Sequence, residues 1–350
     1  MRLSFDISRP ACYHPPRMKT SPLQVRRFPA GVALLLILTF SLSAQEPGRG
    51  PGGPGGRGGP GGFGPPRQTL PEGTRAFRDL AYVTNGHPRQ RLDLYLPATE
   101  GTVPLVVVIH GGAFMGGDKQ GENVAQFLRA GYAAASLNYR LSGDALFPAA
   151  VQDCKAAVRW LRAHAAEYHL DAQHFGAWGS SAGGNLVAML GTTGETKEFD
   201  VGENLEVSSR VQAVADYFGP TDFLQMDAHR LPNGMVHDDA QSPESRYVGG
   251  PIQEQKDVVA KANPITFIGA KTPPFFIAHG DLDPLVPHHQ SELLEAALKQ
   301  AGVPVKFYTV KGGSHGFHDP TADKLMLEFL AAQLKPAGAE GRTGASGPGR

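Results

Sequence analysis

FGAWGSSAGGNLVAML, Phe175 to Leu190, decides how the rest of the chain is read. An apolar strand-like run, Phe175 to Trp178, enters it, and an Ala/Leu/Met helical run leaves it. Between them Gly179-Ser180-Ser181-Ala182-Gly183 has the pattern G-x-S-x-G. Its small flanking residues let the backbone turn sharply and hold the middle serine strained, with its hydroxyl exposed. Ser181 is therefore a candidate nucleophile. With 44 glycines in 350 residues the pattern arises readily by chance, so its weight rests on a strand before it, a helix after it and partners downstream.

A nucleophilic serine needs a base to take its proton, an acid to orient that base, and N–H donors where negative charge develops. The base is read as His315 in Gly312-Gly313-Ser314-His315-Gly316-Phe317, a glycine-flanked loop just after the last expected strand. The acid is read as Asp283 in His279-Gly280-Asp281-Leu282-Asp283-Pro284, just after the preceding strand, with Asp281 as its rival. Asp281 otherwise serves to hold the turn. The remaining histidines His279, His288, His289 and His318 read as surface or loop residues. Oxyanion donors are expected from Ala182 and from Gly111 and Gly112 of His110-Gly111-Gly112-Ala113-Phe114.

Working outward, the segment from about Thr69 to Leu334 reads as short apolar strands alternating with amphipathic helices, after an opening hairpin at Phe77 to Val83 and Arg91 to Leu96. Further strands are expected at Pro104 to Ile109, Tyr132 to Leu137, Phe175 to Trp178, Val211 to Tyr217, Phe275 to Ala278 and Val305 to Val310. Helices are expected near Asn123 to Ala130 and over Ala149 to Tyr168, Ser291 to Gln300 and Thr321 to Leu334. Eight strands separated in this way require a mostly parallel sheet with helices on both faces. Candidate catalytic residues then follow the C-terminal ends of strands, the edge where such sheets place their chemistry. More than fifty residues between the sixth and seventh strands carry turn signals and no clear strand. That length predicts a small helical or irregular insertion over the site.

The chain resembles the BD-FAE-type esterases of the α/β-hydrolase fold, related to the hormone-sensitive-lipase-like carboxylesterases and to feruloyl and acetyl-xylan esterases. The likeness runs through RLDLYLP at 91–97, HGGAFMGGDK at 110–119, LNYRLS at 137–142, FPAAVQDCKAAVRWLR at 147–162, GSSAGGNL at 179–186, SPESRYVGG at 242–250 and NPITFI at 263–268. Two departures stand out. Ala113 replaces the third glycine often found in the HGGG loop, and Ser180 precedes the nucleophile where lipase-like relatives usually carry Asp. The first keeps its backbone N–H, and the second favours the BD-FAE branch. Asp153 and Asp222 fall on family landmarks and read as structural. The resemblance implies a serine carboxylic ester hydrolase without cofactor or metal, acting on short acyl or feruloyl/acetyl esters of carbohydrate. A prolyl-oligopeptidase-type peptidase and a non-catalytic scaffold are the alternatives.

A formal net charge of zero gives no electrostatic case for nucleic acid, and 41% hydrophobic residues can build a sizeable core. Residues 1–44 read as a leader, with the signal peptide starting at Met18. Basic residues precede the apolar run GVALLLILTFSLSA, which ends in small residues near Ser43 and Ala44. That run falls short of the roughly 20 residues a membrane span needs. A secreted or periplasmic product without membrane attachment is expected, a retained anchor being the competing reading. Residues 45–68, almost all Gly and Pro with scattered Arg, read as a disordered linker, and 336–350 as a disordered tail, leaving 69–335 as the catalytic domain. Cys154 is expected in the core, without an intrachain disulfide.

Overall fold

Branched apolar residues in runs of five to seven cannot be exposed on either side, and the computed structural model, which describes residues 69–335, gathers them into one eight-stranded sheet. In chain order the elements begin with β1 (Arg75–Ala81), β2 (Arg91–Leu96), β3 (Val103–Ile109), α1 (Ala125–Arg129), β4 (Ala133–Leu137) and α2 (Ala149–Ala163). There follow β5 (Leu170–Ser180), α3 (Ala182–Thr192) and β6 (Ala213–Tyr217). After an insertion come β7 (Phe275–Gly280), α7 (His289–Gln300), β8 (Val305–Val310) and α8 (Pro320–Leu334). The expected leader, linker and tail lie outside the described residues. Among the described residues no helix is long and apolar enough to cross a membrane.

The strand order is β1-β2-β4-β3-β5-β6-β7-β8. β1 and β2 pair antiparallel, β2 pairs antiparallel with β4, and every pairing from β4 to β8 is parallel. Alternation along β3 shows how both faces are used. Leu105, Val107 and Ile109 face one core with Val158 and Leu186, while Val106 and Val108 face the other with Phe127, Met326 and Leu330. The fold is the mostly parallel, two-faced sheet that the resemblance implied.

The order also decides where chemistry can occur. β3 sends its chain outward to β4, whereas β5 lies on the opposite side of β3 and sends its chain toward β6. The loops after β3 and β5 therefore part, opening a crevice at the carboxyl ends of these two neighbours. Ile109 and Gly179 stand opposite each other in that pair. The glycine-rich loop after Ile109 thus faces the turn that carries Ser181.

Two boundaries differ from expectation by five residues, the others by at most two. α2 ends at Ala163 rather than Tyr168, because residues 164–169 wind into turns and His169 takes a left-handed conformation at φ 55° before β5 begins. β5 starts at Leu170 rather than Phe175. Its first pairing, Val103 with Leu170, is separated by a register shift from Leu105 with Phe175, so the polar stretch between has no readable strand pattern.

The insertion between β6 and β7 is helical and irregular, as its turn signals suggest. It holds α4 (Met226–His229), α5 (Pro243–Val248) and α6 (Lys256–Ala262), with 3₁₀ turns at Phe223–Gln225 and Pro264–Phe267. Tyr247 stacks on Phe114 with ring centroids 4.0 Å apart, and Met235 N donates to Pro284 O at 2.8 Å. These contacts fix the insertion across the crevice.

Candidate active site

Ser181 sits between β5 and α3 at φ 55°, ψ −123°, a conformation that costs about 1–3 kcal/mol for a residue with a side chain. The two pattern glycines are required by close backbone approach. A Cβ at Gly179 would strike the carbonyl of Gly183, and one at Gly183 would strike the carbonyl of Ile109. Ser181 N donates to Tyr217 O at 2.9 Å, tying the turn to β6.

His315 and Asp283 arrive from the next two strands. The loops after β7 and β8 are joined by Leu282 N to Gly313 O at 2.9 Å, and by Gly312 N to the Asp281 carboxylate at 2.6 Å. Asp281 also pairs with Lys311 at 3.2 Å, so it holds the turn, and Asp283 is the carboxylate that meets the imidazole. His315 Nε2 lies 3.0 Å from Ser181 Oγ, and His315 Nδ1 lies 2.7 Å from Asp283 Oδ2. The carboxylate fixes the proton on Nδ1 and leaves Nε2 to accept from the serine hydroxyl. The three residues, separated by up to 134 positions, form one hydrogen-bonded line.

Burial of Asp283 favours its neutral form, yet donors outweigh it. Imidazoles from His279 and His315 hold its carboxyl well below the usual range. Its other oxygen, Oδ1, accepts from Leu285 N at 2.8 Å and Val286 N at 2.9 Å. His279 departs from its expected surface or loop position: it lies on β7 and is fully buried. Its Nε2 faces two acceptors, Asp283 Oδ2 at 3.2 Å and Val286 O at 3.0 Å, so that nitrogen carries the proton. Its Nδ1 lies 2.7 Å from Ser291 Oγ on α7. Position at the end of a buried strand, four residues before the acid, was the available signal.

The loop after β3 provides the opposite wall. His110 is buried, and desolvation lowers its pKa to about 4, so the ring is neutral. Arg89 donates to its Nε2 at 3.3 Å, leaving Nδ1–H to donate to Gly111 O at 2.7 Å. The ring thereby braces the loop. Gly112 needs its missing side chain, since φ is 112° and a Cβ would meet the backbone of Gly116. Gly111 N is turned toward Glu122 Oε1 at 3.4 Å, and from this loop Ala113 and Phe114 line the cleft. Ala182 opens α3, where an N–H has no acceptor within the helix. Asp153 and Asp222 are structural, as read. Asp153 binds Arg140 and Gln90, and Asp222 caps the turn at Leu224.

The cleft above Ser181 has about 50 Å³ open to water-sized molecules, room for a few waters at ~10–15 Å³ each. Ala113, Phe114 and Ala182 form one side, Leu285, Val286 and His315 another, and Met235, Pro243 and Glu244 of the insertion close it. Leu285, exposed at 39%, gives its mouth an apolar edge. Glu244 lies in the SPESRYVGG stretch, where no local pattern marks it for the cleft.

The BD-FAE family model matches residues 92–298, which include the serine turn and the acid. The chain belongs to the BD-FAE family. This BD-FAE chain is 31% identical over 223 residues to the probable carboxylic ester hydrolase LipM of Mycobacterium tuberculosis, covering 62% of this chain and 50% of that one. It spans about half the length of the first curated relatives it matches. Among solved structures it is similar to a truncated carbohydrate esterase from gut microbiota, with TM-score 0.69 and 34% identity over 74% of this chain and 96% of that one. It is also similar to a bifunctional GH43-CE protein of Bacteroides eggerthii, with TM-score 0.68 and 36% identity over 74% of this chain and 38% of that one. The BD-FAE fold is thus the α/β-hydrolase fold seen in these esterase neighbours.

Proposed function

We propose that the protein is a secreted serine carboxylic ester hydrolase that forms an acyl-enzyme on Ser181. The observation that carries this reading is the hydrogen-bonded line from Ser181 Oγ through His315 to Asp283, at 3.0 Å and 2.7 Å. In the first half-reaction Ser181 Oγ attacks the ester carbonyl while its proton passes to His315 Nε2. Asp283 stabilises the resulting imidazolium without taking its proton. The N–H groups of Ala182 and of the Gly111-Gly112-Ala113 loop receive the oxyanion, each good donor lowering the barrier by about 3 kcal/mol. Collapse expels the alcohol, protonated by His315. Water then repeats the sequence, releasing the carboxylic acid and restoring Ser181.

The small cleft supports a short acyl group such as acetyl, and the similarity to a carbohydrate esterase supports sugar esters as substrates. Export rests on the apolar run and small residues at 31–44. A test compares wild type with Ser181→Ala on 4-nitrophenyl acetate, 4-nitrophenyl palmitate, acetylated xylan, methyl ferulate and a prolyl-peptide anilide. The expected result is turnover of acetate at least about tenfold above palmitate, ~1.4 kcal/mol of discrimination, and its loss in Ser181→Ala. Near-wild-type turnover by Ser181→Ala sinks the mechanism, and preference for the anilide makes the protein a peptidase. Mass spectrometry of exported protein should find its first residue near Gln45; an intact leader contradicts cleavage.

A further inference from the structure

Glu244 is the one carboxylate among the described residues in the wall of the cleft that holds Ser181 and His315. Only 4% of the residue is exposed. It stands in the first turn of α5, and Tyr247, one turn on, stacks on Phe114 of the loop after β3. That stack seats α5 directly against the oxyanion wall. Oε2 of Glu244 lies 3.0 Å from Nδ1 of His237, which is itself buried. Oε1 has no hydrogen-bond partner among the described residues, and it is not one of the sealed interior oxygens.

A carboxylate in such a place works against an alkyl chain. Laying apolar groups over it strips water from a charge-bearing oxygen and returns no hydrogen bond, which is unfavourable by several kcal/mol. Among the other residues lining the cleft only Ser181 and His315 carry side-chain donors, and these are engaged in the line to Asp283. A donor brought by the substrate would therefore find one poorly hydrated acceptor, and a hydrogen bond to a carboxylate oxygen is stronger than one between neutral groups. An ammonium group needs three acceptors, whereas a hydroxyl needs one. A single open oxygen suits the hydroxyl.

We infer that Glu244 is a specificity-determining residue whose Oε1 accepts a hydrogen bond from a free hydroxyl of the ester, so that hydroxylated esters are preferred to alkyl esters of equal size. This rests on the ester-hydrolase reading of the same site. The hydroxyl can come from the alcohol, as in a partly acylated polyol or sugar, or from the acyl group. In both cases the recognised chemistry is the same. His237 acts behind Glu244, fixing the carboxylate's rotation through Oε2 so that Oε1 keeps one direction.

Two substrate pairs of matched size test this with the full-length protein. 2-Hydroxyethyl acetate against n-propyl acetate probes the alcohol side, and methyl 3-hydroxypropanoate against methyl butanoate probes the acyl side. The quantity read is the ratio of kcat/KM within each pair, in wild type, Glu244→Gln and Glu244→Ala. Wild type should favour the hydroxylated member by about tenfold or more in one pair, and that pair names the side. Glu244→Ala should bring the ratio close to one, and Glu244→Gln, which keeps the shape and a weaker acceptor, should fall between. Ratios unaffected by either substitution overturn the inference. So does an equal loss on both members of each pair, which makes Glu244 a packing partner of His237 only. No turnover of any of the four esters by wild type overturns the ester-hydrolase reading itself, and the inference with it.

Discussion

His279 Nε2 lies 3.2 Å from Oδ2 of Asp283, the same oxygen that meets Nδ1 of His315 at 2.7 Å. With Leu285 N and Val286 N on Oδ1, the carboxylate is surrounded by four donors in a site closed to water. A line of side chains thus runs from Ser291 on α7 through His279, Asp283 and His315 to Ser181. His279 does not line the cleft, and its contact with this line of side chains runs through Asp283 and Ser291.

Replacing His279 by Ala should lower kcat about tenfold, ~1.4 kcal/mol of barrier, with little change in KM. The pH profile separates positioning from mere loss of packing. His279 helps hold the Asp283 carboxyl below its usual range, so without it protonation begins at a higher pH. The more basic carboxylate also favours the imidazolium of His315. Both effects move the acid limb of kcat/KM upward, as one apparent value of a coupled group. His279→Gln, which can still donate to Asp283, should recover part of the loss. An unchanged acid limb beside a lower melting temperature assigns His279 to packing alone.

Asp283→Asn should abolish most ester turnover, because the amide no longer holds the proton on His315 Nδ1. Asp281→Asn should affect only the turn with Gly312 and Lys311. The expected order is a loss of several powers of ten for the first and less than about tenfold for the second. Initial rates on 4-nitrophenyl acetate decide between them, and the reverse order refutes the assignment of the acid. Losses in Ser181→Ala and Asp283→Asn should not add, since the residues act as one unit.

Gly183 tests the serine turn without touching a reacting group. A Cβ there overlaps the carbonyl of Ile109 and comes within 2.7 Å of that of His110. Backbone on both sides cannot yield as a flexible side chain can, so Gly183→Ala should be destabilised by about 3 kcal/mol or fail to fold. Gly143 is exposed, a methyl group added there would meet nothing within 4 Å, and Gly143→Ala is the neutral control. Equal melting temperatures for the two variants would refute the close approach.

What the sequence made legible follows from which signals are local. PLVVVI can only be a strand buried on both faces, and the serine, acid and base each follow such a strand, so sheet class and candidate line could be read from pattern and order. Strand order could not, because pairing of β2 with β4 rather than β3 depends on contacts distant in sequence. His279 was misplaced for a similar reason. A polar residue ending a strand looks exposed until Asp283, Val286 and Ser291 fold around it. Glu244 was hidden because its surroundings come from α5, the loop after β3 and the segment around Met235, which have no sequence proximity.

Asp216 offers a stability test behind the same turn. It lies on β6 opposite Gly179, it is buried, and its Oδ1 accepts from Gly219 N at 2.9 Å. Desolvation raises its pKa to about 7, against the opposing pull of that single N–H. A carboxyl whose folded value lies above its unfolded value of about 3.9 binds more protons in the folded state between the two. Its contribution is therefore full below pH ~4 and declines as pH rises through about 7, where the folded protein must ionise a buried group. Asp216→Asn keeps an acceptor for Gly219 and carries no charge. Relative to wild type its melting temperature should rise by several degrees at pH 8, on the order of 2 kcal/mol, and the advantage should vanish toward pH 4. Thermal unfolding of both proteins from pH 4 to pH 9 measures this directly. A difference that stays constant across that range, or lower stability of the variant at pH 8, means that Asp216 is ionised and satisfied in the folded state.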